Sequence, residues 1–281
     1  MIVFLKKKSI ISFAVLLCFL FGAVSYVKAQ TDTPIQLPIL MYHNISQKPS
    51  MLGKYTVLDK QFENDLIYIK KNGFQTITMT QLINYVKYGT PLPEKPIMIT
   101  FDDGYESFYA YAYPLLQKYN MTAVMAIIGC YTDEYTQTED HHLDYSHLNW
   151  AQVKELNESE FVEIQNHTYN MHQTKGNRKG CAIGNKESVE QYEAALKEDV
   201  GKLQNEMFMN TGTLANTFVY PFGCLCEESY QILKKMGFEA TLSCTEKVNK
   251  ITRNEDSLNC LGRFNRAHRE SSQQFFERML K

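Results

Sequence analysis

Three short stretches of this chain carry side chains that could do hydrolytic chemistry together. The first is Thr100-Phe101-Asp102-Asp103-Gly104, two adjacent carboxylates after an apolar run. Neighbouring side chains on a strand point to opposite faces. Both carboxylates therefore reach one site only if the chain turns there, and Gly104 supplies that freedom. A divalent cation would hold one carboxylate ionised and leave its neighbour free as a base. The second stretch is His167-Thr168-Tyr169-Asn170-Met171-His172. Histidines five apart stand about 140° apart on a helix and on opposite faces of a strand, so they converge on one ion only from a loop. Two imidazoles and one carboxylate are a three-ligand set for a catalytic divalent metal, with positions left open for water and substrate. The third stretch is Val219-Tyr220-Pro221-Phe222-Gly223. Each has a plainer reading when taken alone: a turn with a helix cap, a polar loop, and a strand followed by a turn.

The elements around these stretches place them at strand ends. Short apolar, β-branched runs alternate with longer amphipathic segments along the chain. The pattern predicts strands over 39–42, 97–101, 123–128, 161–164, 217–220, 240–243 and 261–264. It predicts helices over 59–72, 81–88, 105–119, 150–156, 188–207 and 227–236, and a terminal helix. Alternating strands and helices imply a mostly parallel sheet, and six or seven strands suit a closed or nearly closed barrel. In β/α barrels the chemistry sits where the strands end. His43, Asp102, Asp103, His167 and Pro221-Phe222-Gly223 fall at such ends.

Composition limits the partners. Hydrophobic residues make up 44% of the 281 and charged residues 21%, an ordinary globular balance with no linker-like break. Residues 1–29 read as a signal peptide, with Lys6, Lys7 and Lys8 before an apolar run and Val27-Lys28-Ala29 before a cut at Gln30; an uncleaved membrane anchor is the alternative. The run is short for a membrane span, which needs about 20 residues. Loss of this segment removes four of the 29 basic residues and no acidic ones, leaving 25 against 31, a net charge of −6. That balance gives nucleic acid no basic patch. Cys130, Cys181, Cys224, Cys226, Cys244 and Cys260 remain, enough for up to three disulfides of open connectivity. The Cys224-x-Cys226 spacing is too tight for a zinc knuckle.

Taken together, in order and spacing, the three stretches resemble the polysaccharide deacetylase family, carbohydrate esterase family four. Thr100 to Gly104 matches its T-F-D-D-G motif. His167-Thr168 with His172 looks like its H-[ST]-x-x-H motif, one residue longer, as in the branch of poly-β-1,6-N-acetylglucosamine deacetylases. Tyr220 to Gly223 and Leu40-Met41-Tyr42-His43 are also similar to that branch. The resemblance covers roughly residues 37–266 and implies a distorted (β/α)7 barrel, with 30–281 as one catalytic domain.

The resemblance also implies roles. Asp102 matches the base that takes a proton from the attacking water. Asp103, His167 and His172 match the ligands of a divalent metal, Zn2+ first, with Ni2+, Co2+ or Fe2+ able to substitute. Pro221 and Phe222 match the segment shaping the acetyl pocket, with the Phe222 N–H as oxyanion donor. Two departures matter. The usual third-motif arginine is missing, which makes Arg263, at the end of the last strand, the candidate that tunes the base. No clear C-terminal L-x-H motif is present, so His43 on the first strand takes the general-acid role, with His268 as the weaker alternative. Tyr220, Pro221 and Trp150 are candidates to meet substrate, although Trp150 reads first as the anchor of its helix. His141, His142 and His147 read as a solvated loop over the active face rather than a second metal site, and the tyrosines between 105 and 119 as packing.

The expected activity is removal of N-acetyl groups from an N-acetylglucosamine-containing polysaccharide by a secreted monomer, free or associated with wall or membrane. The alternatives are an O-acetyl esterase with the same machinery and a non-catalytic glycan-binding wall protein. The polymer and the native metal stay open.

Overall fold

The apolar runs become seven parallel strands, β1 (Ile39–Tyr42), β2 (Pro96–Phe101), β3 (Ala123–Ile127), β4 (Val162–Asn166), β5 (Thr217–Val219), β6 (Ala240–Leu242) and β7 (Phe264–Asn265). The computed structural model describes residues 33–281 except 139, 175 and 177, so the expected signal peptide lies outside the described residues. Around the sheet the order is β6-β5-β4-β3-β2-β1-β7. Leu40 is in register with Ile99, and Met125 with Ile164. The sheet curls until its two edges meet through Leu261, which bridges in parallel to Leu242. The Leu261 N–H donates to the Thr241 carbonyl and the Ser243 N–H to the Leu261 carbonyl, both at 2.8 Å. The seventh strand expected at 261–264 is thus displaced: Leu261 seals the barrel to β6, and β7 pairs with β1 three residues later. At this seam one bridge stands in place of a full ladder.

Every residue of β2 and β3 is buried, as expected of strands covered on both faces. The helices that cover them follow the expected periodicity. Helix α1 (Asp59–Lys71) buries Phe62, Asp65, Leu66 and Ile69, one stripe at helical spacing. Asp65 is a charge within that stripe, and it is paired. Arg266 Nε lies 2.8 Å from its Oδ2, and the Tyr42 hydroxyl donates to the same oxygen at 2.8 Å. The pair ties α1, β1 and the segment after β7 together beneath His43. Helices α2 (Met79–Tyr88), α5 (Trp150–Glu158), α6 (Val189–Thr211), α7 (Glu227–Lys235) and α8 (Ser272–Met279) lie where the pattern places them.

Two helical expectations change. Residues 105–119 do not form one α-helix: a π-helical turn over Phe108–Ala112 precedes α3 (Tyr113–Tyr119), which has a proline in its first turn. Pro114 has no N–H for the helical ladder, so the register shifts there. Helix α4 (Gly129–Thr138) was not expected, because it carries no apolar stripe and buries only Gly129 and Thr132. The six cysteines of the barrel domain are free thiols, so the disulfides that their number allowed are not formed. No helix among the described residues is long and apolar enough to cross a membrane.

Candidate active site

The carboxylate pair turns into one site because two consecutive residues take left-handed backbone: Asp103 at φ 72° and Gly104 at φ 75°. The freedom expected of Gly104 is real, but Asp103 shares the turn. For a residue with a side chain that conformation is strained. The turn sends the two carboxylates to different partners. Asp102 meets Arg263 in a fork, Nη1 to Oδ1 at 2.6 Å and Nη2 to Oδ2 at 2.8 Å. Arg263 is fully buried, and its Nε donates to the Ser243 carbonyl at 2.9 Å. Burial works to raise the Asp102 pKa, but the Arg263 charge and hydrogen bonds, with His167 and His43, together outweigh it and hold the carboxyl below its ordinary value.

Asp103 faces the histidines. Its Oδ1 lies 3.5 Å from His167 Nε2 and 3.3 Å from His172 Nε2. His167 donates its Nδ1–H to the Val219 carbonyl at 2.7 Å, which leaves Nε2 as the lone-pair nitrogen aimed at Asp103. Asp103 Oδ1 is buried and lacks a hydrogen-bond partner of good geometry. One carboxylate and two imidazoles thus present their donor atoms within 4.8 Å of one another. Facing lone pairs in a buried site repel unless a cation or a proton sits between them, so these residues fit a single divalent ion. Burial would raise the Asp103 pKa, yet His167 beside it, with His43 and His172, holds it well below the usual carboxylate range. Burial above all pushes His172 down to about 4, which keeps that ring neutral and able to ligate. Among the described residues this is the one group of three or more potential ligands found together.

His43 follows β1, with its ring centroid 4.7 Å from that of Tyr55. Its Nδ1 is buried without a partner. Burial lowers its pKa, against the opposing pull of Asp102 and Asp103. Phe222 closes another side: its ring centroid is 4.2 Å from that of His172, and it remains 39% exposed. It too is left-handed, at φ 56°, and Pro221 beside it is buried.

The model of the polysaccharide deacetylase family matches residues 89–241, more than half of the chain. The chain belongs to the polysaccharide deacetylase family. Curated relatives include the poly-beta-1,6-N-acetyl-D-glucosamine N-deacetylase of Escherichia coli K12, 26% identical over 71% of this chain and 32% of that protein. The enzyme of the same name from Staphylococcus aureus MRSA252 is 28% identical over 70% of this chain and 64% of that protein. The chain therefore spans about a third of the first relative and less than two thirds of the second. Among solved structures, a de-N-acetylase from Aggregatibacter actinomycetemcomitans superposes with a TM-score of 0.72 at 21% identity, over 86% of this chain and 99% of that one. The Streptococcus pyogenes deacetylase PplD in complex with acetate gives 0.70 at 20% identity, over 88% and 99%. At these identities the likeness establishes the fold, and it agrees with the distorted (β/α)7 barrel.

Several residues of this chain lie elsewhere than their sequence suggested. Tyr220 is fully buried, and its hydroxyl is 2.9 Å from Ser229 Oγ, so its side chain braces α7 rather than lining the cleft. Trp150 is 7% exposed and donates its indole N–H to Asp133 Oδ1 at 2.7 Å, which makes it the anchor of α5 and not a sugar platform. His268 Nδ1 lies 3.1 Å from Gln61 Oε1 on α1. His147, taken for a loop residue in solvent, is buried between Tyr105 and Tyr131 at 4.7 and 4.5 Å. Its Nδ1–H donates to the Asp103 carbonyl at 2.9 Å and so braces the strained turn. His141 packs its Nδ1 2.6 Å from Glu106 Oε1. No local pattern marks His147, because its partners come from the turn after β2 and from α4.

Proposed function

We propose that this chain is a metal-dependent hydrolase that removes N-acetyl groups from an N-acetylglucosamine-containing polysaccharide (an exopolysaccharide, peptidoglycan or a chitin-like polymer). The observation that carries the reading is the division of labour between Asp102 and Asp103: one is locked to Arg263, the other faces two imidazoles. Asp103, His167 and His172 would hold the ion, Zn2+ first among divalent metals, with Ni2+, Co2+ or Fe2+ as substitutes. Bound there, it would polarise the acetyl carbonyl and acidify the attacking water.

The side chains do the rest. Asp102, kept ionised by Arg263, accepts the proton of the attacking water. The Phe222 N–H donates to the oxyanion as the carbonyl becomes tetrahedral, and Pro221 with Phe222 bounds the acetyl group. His43 gives a proton to the departing nitrogen. Burial makes its imidazolium a stronger acid, which favours that transfer. The C–N bond breaks, and acetate and a free amine leave. The relatives named for deacetylation of poly-β-1,6-N-acetylglucosamine support an N-acetylated substrate. The basic and apolar N-terminal pattern supports secretion or surface attachment.

The test is acetate release from a panel of N-acetylated glycans and matched O-acetyl esters, with and without chelator. Chelator-sensitive release from an N-acetylated glycan is expected. Release only from esters, or release indifferent to chelator and restored metal, would overturn the proposal.

A further inference from the structure

His167 and His172 are separated by four residues, and both rings reach Asp103 only if those four are fixed. The structure fixes the first three of them by hydrogen bonds. Asn166 Oδ1 accepts the Thr168 N–H at 2.9 Å, while Asn166 Nδ2 donates to the Val200 carbonyl at 3.2 Å. Thr168 takes the left-handed turn at φ 75°. The next two backbone N–H groups aim at a single carboxylate: Tyr169 N–H reaches Asp199 Oδ1 and Asn170 N–H reaches Asp199 Oδ2, each at 2.8 Å. Asp199 belongs to α6, beside the Val200 that anchors Asn166. The Tyr169 side chain is pinned separately, its hydroxyl donating to Asp133 Oδ2 at 2.9 Å.

We infer that Asp199 is a positioning residue for the metal site, its carboxylate holding the span between His167 and His172 so that both imidazoles are presented to one ion. A carboxylate suits this task better than an amide. It accepts at both oxygens, and two successive N–H groups are the pattern that it satisfies. With Asp199 removed, the Tyr169 and Asn170 N–H groups lose their acceptor, and the span keeps the Gly129 and Cys130 N–H bonds to the Thr168 and Tyr169 carbonyls and the side-chain bonds of Asn166 and Tyr169. The histidines stay in the sequence but no longer sit preorganised. The inference rests on the reading of Asp103, His167 and His172 as the metal site.

The experiment is zinc affinity of the whole chain, measured on metal-free protein by competition with a chromophoric chelator, together with the absorption spectrum of the Co2+-loaded form. Partners that orient metal ligands are worth about 10–100-fold in affinity. Asp199→Ala is expected to lose that much and to shift the Co2+ bands, and Asp199→Asn, with one acceptor oxygen for two donors, to fall between it and the unsubstituted protein. Glu163→Gln is the control. Glu163 caps the start of α2 by accepting the Met79 and Thr80 N–H groups at 2.6 and 3.0 Å, so its loss lowers the melting temperature while zinc affinity holds. Asp199→Asn that melts earlier but binds zinc as the unsubstituted protein does, with unchanged Co2+ bands, would overturn the inference and leave the metal site standing. Failure of the unsubstituted protein to bind zinc or Co2+ would overturn the metal site, and the inference with it.

Discussion

Replacing Arg263 with methionine removes the largest charge that holds Asp102 ionised while leaving Asp103, His167 and His172 in place. Arg263 makes two hydrogen bonds to Asp102, at 2.6 and 2.8 Å, and both side chains are buried. Unit charges roughly 4 Å apart interact by about 4 kcal/mol at an effective dielectric constant of about 20. Burial opposes ionisation of Asp102, and in Arg263→Met it acts unopposed by the fork. The base must be ionised to act, so the acid limb of kcat/KM for acetate release moves up, towards neutral pH. Stability changes sign with it. With Arg263 in place the depressed carboxyl contributes stability above its unfolded pKa, lost as pH falls through the folded value. Without Arg263 the raised carboxyl makes the fold weaker as pH rises. An unpaired buried charge costs about 3–5 kcal/mol, or roughly 10 °C of melting temperature at neutral pH. The double variant Arg263→Met with Asp102→Asn should regain much of that stability and none of the activity. A pH–rate profile of folded Arg263→Met with its acid limb unmoved would refute the tuning role.

Asp102→Asn is expected to keep its metal and lose about 10²–10⁴-fold in rate, because a base goes while the ligands stay; metal analysis showing an empty site would make Asp102 a ligand instead. His43→Ala should lose far more activity on an N-acetylated sugar than on an activated aryl acetate, since an amine must be protonated to leave and such a phenol need not be; equal losses would favour a positioning role. Glu206 reports on stability alone. Its Oε2 has no partner, and burial, then Asp133, raise its pKa from 4.5 to about 7 against the pull of Lys202. The folded chain therefore holds a proton that the unfolded chain releases, and stability falls as pH rises from about 4.5 to about 7. Glu206→Gln should gain about 1 kcal/mol at pH near 8, allowing for solvent screening of a side chain 24% exposed, and nothing near pH 5. Equal gains in melting temperature at both pH values would remove the ionisation argument.

The barrel and the polar residues at its strand ends were legible because both are local patterns. Buried parallel strands are continuous apolar runs, and the polar residue that ends such a run stands out. Arg263 was legible by position, as an arginine at the end of the last strand. The polar tips of the aromatic side chains were less legible. Tyr220 and Trp150 lie beside polar motif residues, yet each has a polar tip satisfied from another element, by Ser229 and by Asp133. A buried tyrosine or tryptophan needs one such partner, and sequence spacing does not disclose it. Helix α4 was missed for the opposite reason: its core-facing stripe has no apolar side chains to read.

What stayed hidden is how the strain of the site is held. Asp103, Thr168 and Phe222, one in each motif, are left-handed without being glycine. Such residues cost about 1–3 kcal/mol each and persist only where the surroundings over-determine them. Here the surroundings are identifiable. His147 bonds the Asp103 carbonyl from 44 residues away, and Asp199 bonds the turn after Thr168 from 30 and 29 residues away. Around Phe222 the bonds are local, Gly223 N–H to the Tyr220 carbonyl at 2.9 Å and Cys224 N–H to the Pro221 carbonyl at 3.0 Å. The groups that react form short words in the sequence because they sit at consecutive positions on strand ends. Two of the three turns that aim them draw their support from loops and helices distant in sequence. A substitution at His147 or Asp199 therefore acts on the site as a substitution in a motif does, through residues that no motif contains.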